Sequence, residues 1–195
     1  MDRTTENKCV ANCETGCNAP FNVNGYADSS KIDNAVKIMI DALNNGSKIF
    51  WCGNGGSASQ ANHLSAELIG GMHKNKINPF NSICLNVDTA FLTAWSNDDS
   101  FENIFSRQLQ ANGEKGDILI GLSTSGNSIN INNAASYAKK SGIKVISLTG
   151  NDGGKLKSIS DLNINIDSES TQRIQEMHIL IGHIICDLIE RNYIS

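Results

Sequence analysis

Gly121-Leu-Ser-Thr-Ser-Gly-Asn-Ser128 is the stretch of this sequence that decides the predicted fold. It follows an apolar run, Asp117-Ile-Leu-Ile120, and precedes a segment with helical spacing from Ile131 to Lys140. Such a strand, loop and helix place backbone N–H groups and hydroxyls around one small space, and the helix N-terminus adds unpaired donors and the positive end of its dipole. That space suits a phosphate. The loop therefore predicts binding of a phosphorylated small molecule.

The segments on either side of this loop repeat the same alternation. Strands are predicted at 48–52, 82–87, 117–122, 144–148 and 162–166, and helices at about 31–43, 57–69, 89–96, 101–111, 129–141 and 169–191, with a short helix after 150–154. Short strands alternating with helices indicate an α/β fold with a parallel sheet covered on both faces. Ligands bind such folds beyond the carboxyl ends of the strands, where the loops at 53–57 and 121–128 both fall.

The composition favours one globular domain and argues against several classes of function. The chain has 195 residues, of which 39% are hydrophobic and 18% charged, with a net charge of −4. This charge argues against a basic surface for nucleic acid, and no run approaches the length of a membrane span. The first residues, Met1 to Lys8, contain no apolar run of the kind that signal peptides carry. We therefore expect a cytoplasmic protein.

The six cysteines divide into two groups of three. Cys52, Cys84 and Cys186 lie in apolar runs and are predicted to be small core residues. Cys9, Cys13 and Cys17 are spaced four apart, which fits either one face of an N-terminal helix or the ligands of a metal or cluster. Disulfides are not expected in a cytosolic chain.

The glycine-rich stretch Gly53-Asn-Gly-Gly-Ser-Ala58 has two interpretations. It fits the looser dinucleotide fingerprint G-x-G-x-x-A, which requires an acidic residue about 20 positions further on. The next strand instead leads to Asp88, which is too far along the chain. A tight turn that lets a ligand approach the peptide groups is the better interpretation.

Two predicted helices carry side chains that could converge on one ligand. His63 and Glu67 are four residues apart and so share a helix face, where an imidazole and a carboxylate can meet one metal ion or one substrate. On the last helix, Gln175 and His183 lie about 80° apart on the helical wheel, whereas His178 is rotated away. The alternative is that these are ordinary polar members of a largely buried helix.

Seven motifs in this order resemble the phosphoheptose isomerases, a branch of the sugar isomerase (SIS) domain proteins. They are Cys52-Gly-Asn-Gly-Gly-Ser57, His63-x3-Glu67, Asn97-Asp98, Phe105-Ser-Arg107, Ser123-Thr-Ser-Gly-Asn-Ser128, Leu148-Thr-Gly150 and Arg173-Ile-Gln-Glu-Met-His178. The resemblance covers about residues 31–190. It implies a three-layer, flavodoxin-like sheet of five parallel strands in a SIS domain at 31–195. It also implies that the arm at 1–30 is helical and lies at an oligomer interface.

The same resemblance implies a reaction and a set of site residues. The reaction is conversion of D-sedoheptulose 7-phosphate to D-glycero-D-manno-heptose 7-phosphate by a homotetramer with sites between subunits. One zinc ion per subunit is implied at His63, Glu67, Gln175 and His183. Substrate contacts are implied at Asn54, Gly55, Gly56, Glu67, Asn97, Asp98, Ser123, Thr124, Ser125, Ser128 and Gln175.

The residue types fit an aldose–ketose isomerisation, which moves a proton between adjacent carbons through an enediol. Glu67 is the candidate base, and His183 is the candidate acid that protonates or stabilises the developing oxyanion. A zinc ion could polarise the carbonyl or play a structural role.

Two other functions are alternatives to this one. A non-catalytic branch of the family binds a replication-initiator partner, but that branch lacks the carboxylate and the last histidine that are present here as Glu67 and His183. Regulatory sugar-phosphate sensors usually carry a DNA-binding domain, for which this chain leaves no room.

Overall fold

The computed structural model describes residues 28–73 and 78–193. The helices of these residues are α1 (Ser29–Asn44), α2 (Gly56–Gly70), α3 (Thr89–Asp98), α4 (Ile104–Asn112), α5 (Ile129–Lys140), α6 (Gly154–Ile159) and α7 (Thr171–Tyr193). The strands are β1 (Ile49–Gly53), β2 (Ser82–Cys84), β3 (Ile118–Ser123), β4 (Lys144–Gly150) and β5 (Leu162–Ile166). A 3-10 turn, Phe101–Asn103, precedes α4.

The five strands form one parallel sheet in the order β2-β1-β3-β4-β5. The order reverses between β1 and β3, which is the topological switch point of a flavodoxin-like sheet. The loops after β1 and β3 leave the sheet side by side at that point, because Gly53 is in register with Leu122. The predicted α/β class and the parallel five-stranded sheet are confirmed.

Two apolar cores lie on opposite faces of the sheet. One core joins α1, α2 and α7 to strand residues such as Trp51 and Ile120. The other joins α4, α5 and α6 to strand residues such as Phe50 and Leu119. Neighbouring residues of one strand point to opposite faces, and both faces are covered, so the central strands are apolar throughout.

Helix α1 shows how local sequence sets these elements. Its buried residues Ile32, Ala35, Val36 and Met39 follow the spacing of one helix face. The Asp28 carboxylate accepts the N–H of Ser30 at 3.0 Å and caps the first turn. After the helix, Gly46 adopts a φ of 76°, a left-handed conformation that suits glycine at a helix end.

Two predicted boundaries were wrong. The second strand ends at Cys84 rather than residue 87, because the side chain of Asn86 takes up hydrogen bonds with the backbone of Gly53. The helix predicted at 101–111 begins as a 3-10 turn, where the Ser100 hydroxyl accepts the N–H of Glu102.

The structure describes three of the six cysteines. Cys52, Cys84 and Cys186 are buried free thiols, as expected for core residues. Cys9, Cys13 and Cys17, and nearly all of the predicted arm at 1–30, lie outside the described residues. Among the helices that the structure describes, none is both long and apolar enough to cross a membrane.

Candidate active site

Three side chains converge where helix α2 crosses helix α7. His63 and Glu67 lie one turn apart on α2, with the His63 Nε2 atom 3.3 Å from Glu67 Oε1. His183 on α7 brings its Nε2 atom to 2.8 Å from Nε2 of His63. The potential ligand atoms of the three residues all lie within 4.8 Å of one another. Two imidazoles and a carboxylate at this separation form a group that could hold a metal ion.

The surroundings of this cluster favour the neutral form of the His183 imidazole by lowering its pKa. Burial is the main influence that lowers the pKa of His183 below its usual value, and the nearby His63 lowers it further, while Glu67 acts in the opposite direction. A neutral imidazole has a free nitrogen lone pair, which can ligate a metal or accept a proton. The Glu67 side chain is 24% exposed and so remains open to a ligand from solvent.

The two helices meet closely because α7 has a glycine at the crossing. A Cβ atom on Gly182 would lie 2.3 Å from Cδ1 of Leu64 and 2.6 Å from its Cδ2. Gly182 precedes His183, and Leu64 follows His63. The missing side chain therefore allows the approach that brings the two imidazoles together.

Gln175 and His178 occupy different surroundings on α7. The Gln175 side chain packs over Gly56, where a Cβ atom would lie 2.7 Å from both its amide oxygen and its amide nitrogen. The backbone carbonyl of Gln175 accepts a hydrogen bond from Nε2 of Gln60 at 2.6 Å. His178 points into the core and donates from Nε2 to the carbonyl of Thr149, as its predicted rotation away from the cleft requires. Burial lowers the pKa of His178 to about 4, so it stays neutral.

The serine loop, Ser123–Ser128, joins β3 to α5. The hydroxyls of Ser123 and Ser128 are 3.2 Å apart, and Ser128 makes no capping bond to the helix that it begins. Gly126 has a φ of 64°, and a Cβ atom there would lie 1.9 Å from the carbonyl oxygen of Gly153. The loop is thus held against the start of α6, with hydroxyls and the N-terminus of α5 facing one space, as an anion site requires.

The glycine loop, Gly53–Ser57, lies next to the serine loop at the switch point. Gly55 has a φ of 55° and directly precedes α2, which carries His63 and Glu67. The Asn54 side chain exchanges two hydrogen bonds with Asn130 of α5. Sequence reasoning missed Asn130, because its partner is 76 residues away and no spacing rule links them.

Asn97 and Asp98 lie at the exposed C-terminal end of α3. Their side chains are hydrogen-bonded to each other, from Nδ2 of Asn97 to Oδ1 of Asp98 at 2.8 Å. Within the part of the chain that the structure describes, no side-chain hydrogen bond joins them to the serine loop or to the histidine cluster. Asp88, the acidic residue considered for a dinucleotide, instead caps α3 by accepting the N–H of Phe91.

Comparisons with known proteins agree with this fold. A family model described as the SIS domain matches residues 25–150, so the chain belongs to the SIS domain family. A phosphoheptose isomerase of Akkermansia muciniphila is 47% identical over 175 residues, covering 86% of this chain and 92% of the relative. A phosphoheptose isomerase of Helicobacter pylori, strain Shi470, is 50% identical over 159 residues, covering 82% of each chain.

A solved structure extends the comparison to three dimensions. The phosphoheptose isomerase of Neisseria gonorrhoeae matches with a TM-score of 0.78 at 41% identity, covering 83% of this chain and 86% of that one. Within the SIS domain family, the chain therefore groups with the phosphoheptose isomerases, which are enzymes. The resemblance indicated by the seven motifs is confirmed.

The close crossing of α2 and α7 gives a direct prediction. We expect Gly182→Ala to lower stability by about 1–3 kcal/mol, because the new methyl group overlaps Leu64 and forces the helices to shift. The same shift moves His183 relative to His63 and Glu67, so activity should fall as well. Urea unfolding and initial rates measure the two effects. The matched control is Gly70→Ala on α2, where nothing lies within 4 Å of the added carbon; equal behaviour of the two variants would contradict the prediction.

Proposed function

We propose that this chain converts D-sedoheptulose 7-phosphate to D-glycero-D-manno-heptose 7-phosphate, a first step toward a nucleotide-activated heptose for lipopolysaccharide or capsule. The observation that carries the proposal is the meeting of Glu67 and His183 from two helices, in a chain that also has a serine loop suited to phosphate. The names of the relatives support the same reaction.

The proton transfers follow from the two side chains. Glu67 removes a proton from C1 of the ketose, and the C–H electron pair forms the C1–C2 double bond of an enediol. His183 supplies a proton or a hydrogen bond to the oxygen on C2, which gains charge as its carbonyl bond opens. Glu67 then returns the proton to C2. The hydroxyl on C1 gives up its proton to His183, which replaces the one given to the oxygen on C2, and the aldehyde of the product forms.

The donor set fits a divalent metal ion such as Zn2+. The ligand types present are two imidazoles and a carboxylate, and their atoms are already within 4.8 Å of one another. We propose His63, Glu67, Gln175 and His183 as the residues that would hold the ion, with Gln175 as the neutral oxygen ligand. When bound, Zn2+ would supply Lewis acidity at the substrate carbonyl or fix the geometry of α2 and α7.

The substrate is anchored at a distance from its reacting carbons. Hydroxyls of the serine loop and the N-terminus of α5 bind the terminal phosphate in this proposal, and the glycine loop contacts the sugar. Such an anchor holds the reacting carbons beside Glu67 and so makes proton transfer effectively unimolecular. The proposed substrate contacts are Asn54, Gly55, Gly56, Glu67, Asn97, Asp98, Ser123, Thr124, Ser125, Ser128 and Gln175.

We also propose that the active form is a cytoplasmic homotetramer with sites between subunits. Exposed apolar side chains support an interface with another chain. Val87 is 55% exposed, Phe101 55% and Ile129 54%, and α3 contains no buried residue. Burial of such groups against another chain removes apolar surface from water.

The assay that tests the proposed function is direct. The purified protein is incubated with sedoheptulose 7-phosphate, with and without added Zn2+, and the aldose product is followed by NMR. We expect the resonances of the heptose 7-phosphate to appear. If neither condition gives conversion, the proposed reaction is wrong and a non-catalytic partner-binding role takes its place.

A further inference from the structure

The side chains of Asn54 and Asn130 form a closed pair across the site. Nδ2 of Asn54 donates to Oδ1 of Asn130 at 2.8 Å, and Nδ2 of Asn130 donates back to Oδ1 of Asn54 at 2.9 Å. Asn130 is 2% exposed, whereas Asn54 is partly open. The buried member of the pair therefore has no direct access to a ligand, and any effect that it has must pass through Asn54.

The pair has a defined orientation because the backbone of α5 fixes one end. Oδ1 of Asn130 also accepts the N–H of Ile131 at 2.9 Å, so this oxygen cannot exchange places with its amide nitrogen. The Asn54 amide must then turn its nitrogen toward that oxygen. An amide group has two N–H donors and two acceptor sites on its oxygen. The pair uses one of each, which leaves Asn54 one N–H and one acceptor site in a fixed direction.

The backbone next to Asn54 is held independently. Asn86 accepts the N–H of Gly53 at 3.2 Å and donates to the Gly53 carbonyl at 2.9 Å. A Cβ atom on Gly53 would lie 2.5 Å from the carbonyl group of Ser57, so the turn is also tight. With the backbone fixed in this way, side-chain rotation is the main freedom left to Asn54. Asn130 removes that freedom.

We propose that Asn130 is a positioning residue, which sets the Asn54 amide for hydrogen bonding to the sugar-phosphate substrate. This inference rests on the proposed function, in which Asn54 contacts substrate. Asn130 follows the serine loop by two residues, at the start of the helix that comes after this loop. The amide pair therefore links the phosphate anchor to the loop on the other side of the substrate, and it orders Asn54 before binding.

A double-mutant cycle separates positioning through Asn54 from a general structural role. We expect Asn130→Ala and Asn54→Ala each to lower kcat/KM for sedoheptulose 7-phosphate by about tenfold, mainly through KM. In the Asn54→Ala background, Asn130→Ala should change kcat/KM by less than about twofold, because its target is already gone. If the double variant lowers kcat/KM by the product of the two separate losses, the proposal is overturned.

Two further variants control for folding. Asn133→Ala removes an amide from the same helix, where it bonds to Glu102 and Asn103 instead of the glycine loop, and should leave kcat/KM unchanged. Asn130→Asp is nearly isosteric and keeps the acceptor for Ile131, but it cannot donate to Asn54. If Asn130→Ala does not fold, Asn130→Asp must show the loss in kcat/KM; wild-type kinetics in that variant would contradict the proposal.

A measurement without turnover distinguishes this inference from the proposed reaction. In a 15N spectrum, one side-chain N–H proton of Asn54 should be shifted by its bond to Oδ1 of Asn130, and this shift should be lost in Asn130→Ala, which removes the acceptor. An inactive wild-type enzyme that shows the shift would overturn the reaction and leave the pair intact. An Asn54 signal that is unchanged in Asn130→Ala would overturn the positioning role whatever the activity.

Discussion

Glu67→Gln is expected to lower kcat by roughly 10²–10⁴-fold, the usual contribution of a general base. Glutamine keeps the shape of the side chain but cannot take a proton from carbon. The serine loop is untouched, so binding of inorganic phosphate and thermal unfolding should stay close to wild type. NMR measures kcat, and calorimetry measures the affinity for inorganic phosphate.

The matched control for Glu67 is Glu114→Gln. Glu114 is an exposed carboxylate whose partner is Lys48, just before the start of β1, and its side chain is 80% exposed. Because this pair lies before the amino ends of the central strands β1 and β3, away from the loops that follow these strands, the control should keep full activity. A Glu67→Gln enzyme with near wild-type kcat would remove Glu67 as the base.

His183→Asn is expected to reduce both metal content and rate. The change removes an imidazole whose Nε2 atom lies 2.8 Å from that of His63, so it deletes one of the three converging donors. We expect bound zinc to fall well below one ion per subunit and kcat to fall by at least about 100-fold. Metal analysis after dialysis and initial rates with excess Zn2+ separate the two effects.

A second histidine provides the control for this loss. His73 is paired with Asp187, one helical turn beyond His183 on α7, and is not one of the converging donors, so His73→Asn should leave zinc content and kcat unchanged. A His183→Asn enzyme that is fully active, with unchanged metal content, would show that the imidazole has neither role.

Much of the fold follows from local patterns in the sequence. The spacing of apolar residues predicted the strands and helices that form the five-stranded parallel sheet and its covering layers, because this spacing reflects which face of each segment is buried. The predicted end of β2 was wrong. The Asn86 side chain hydrogen-bonds to the backbone of Gly53 in place of strand pairing, and no local sequence pattern indicates such bonds. The helical wheel separated His183 from His178, and the structure has His178 fully buried against Thr149.

The site was less accessible to such reasoning because its contacts are long-range. His63 and His183 are 120 residues apart, and their meeting depends on Gly182, which has no sequence signal of its own. Motif order indicated the residues, but only coordinates give the approach of α2 to α7. The pair of Asn54 and Asn130 was missed for the same reason. The relatives compared here are named as isomerases, and these names give no support to the partner-binding alternative.

The central claim is that Glu67 moves a carbon-bound proton of a sugar held by its phosphate. The most direct test is to incubate sedoheptulose 7-phosphate in D2O with wild-type enzyme or with Glu67→Gln, and to follow deuterium entering C1 of the ketose and C2 of the aldose by NMR. We predict incorporation with wild type and none above background with the variant at saturating substrate. Incorporation at equal rates by both enzymes would contradict the account.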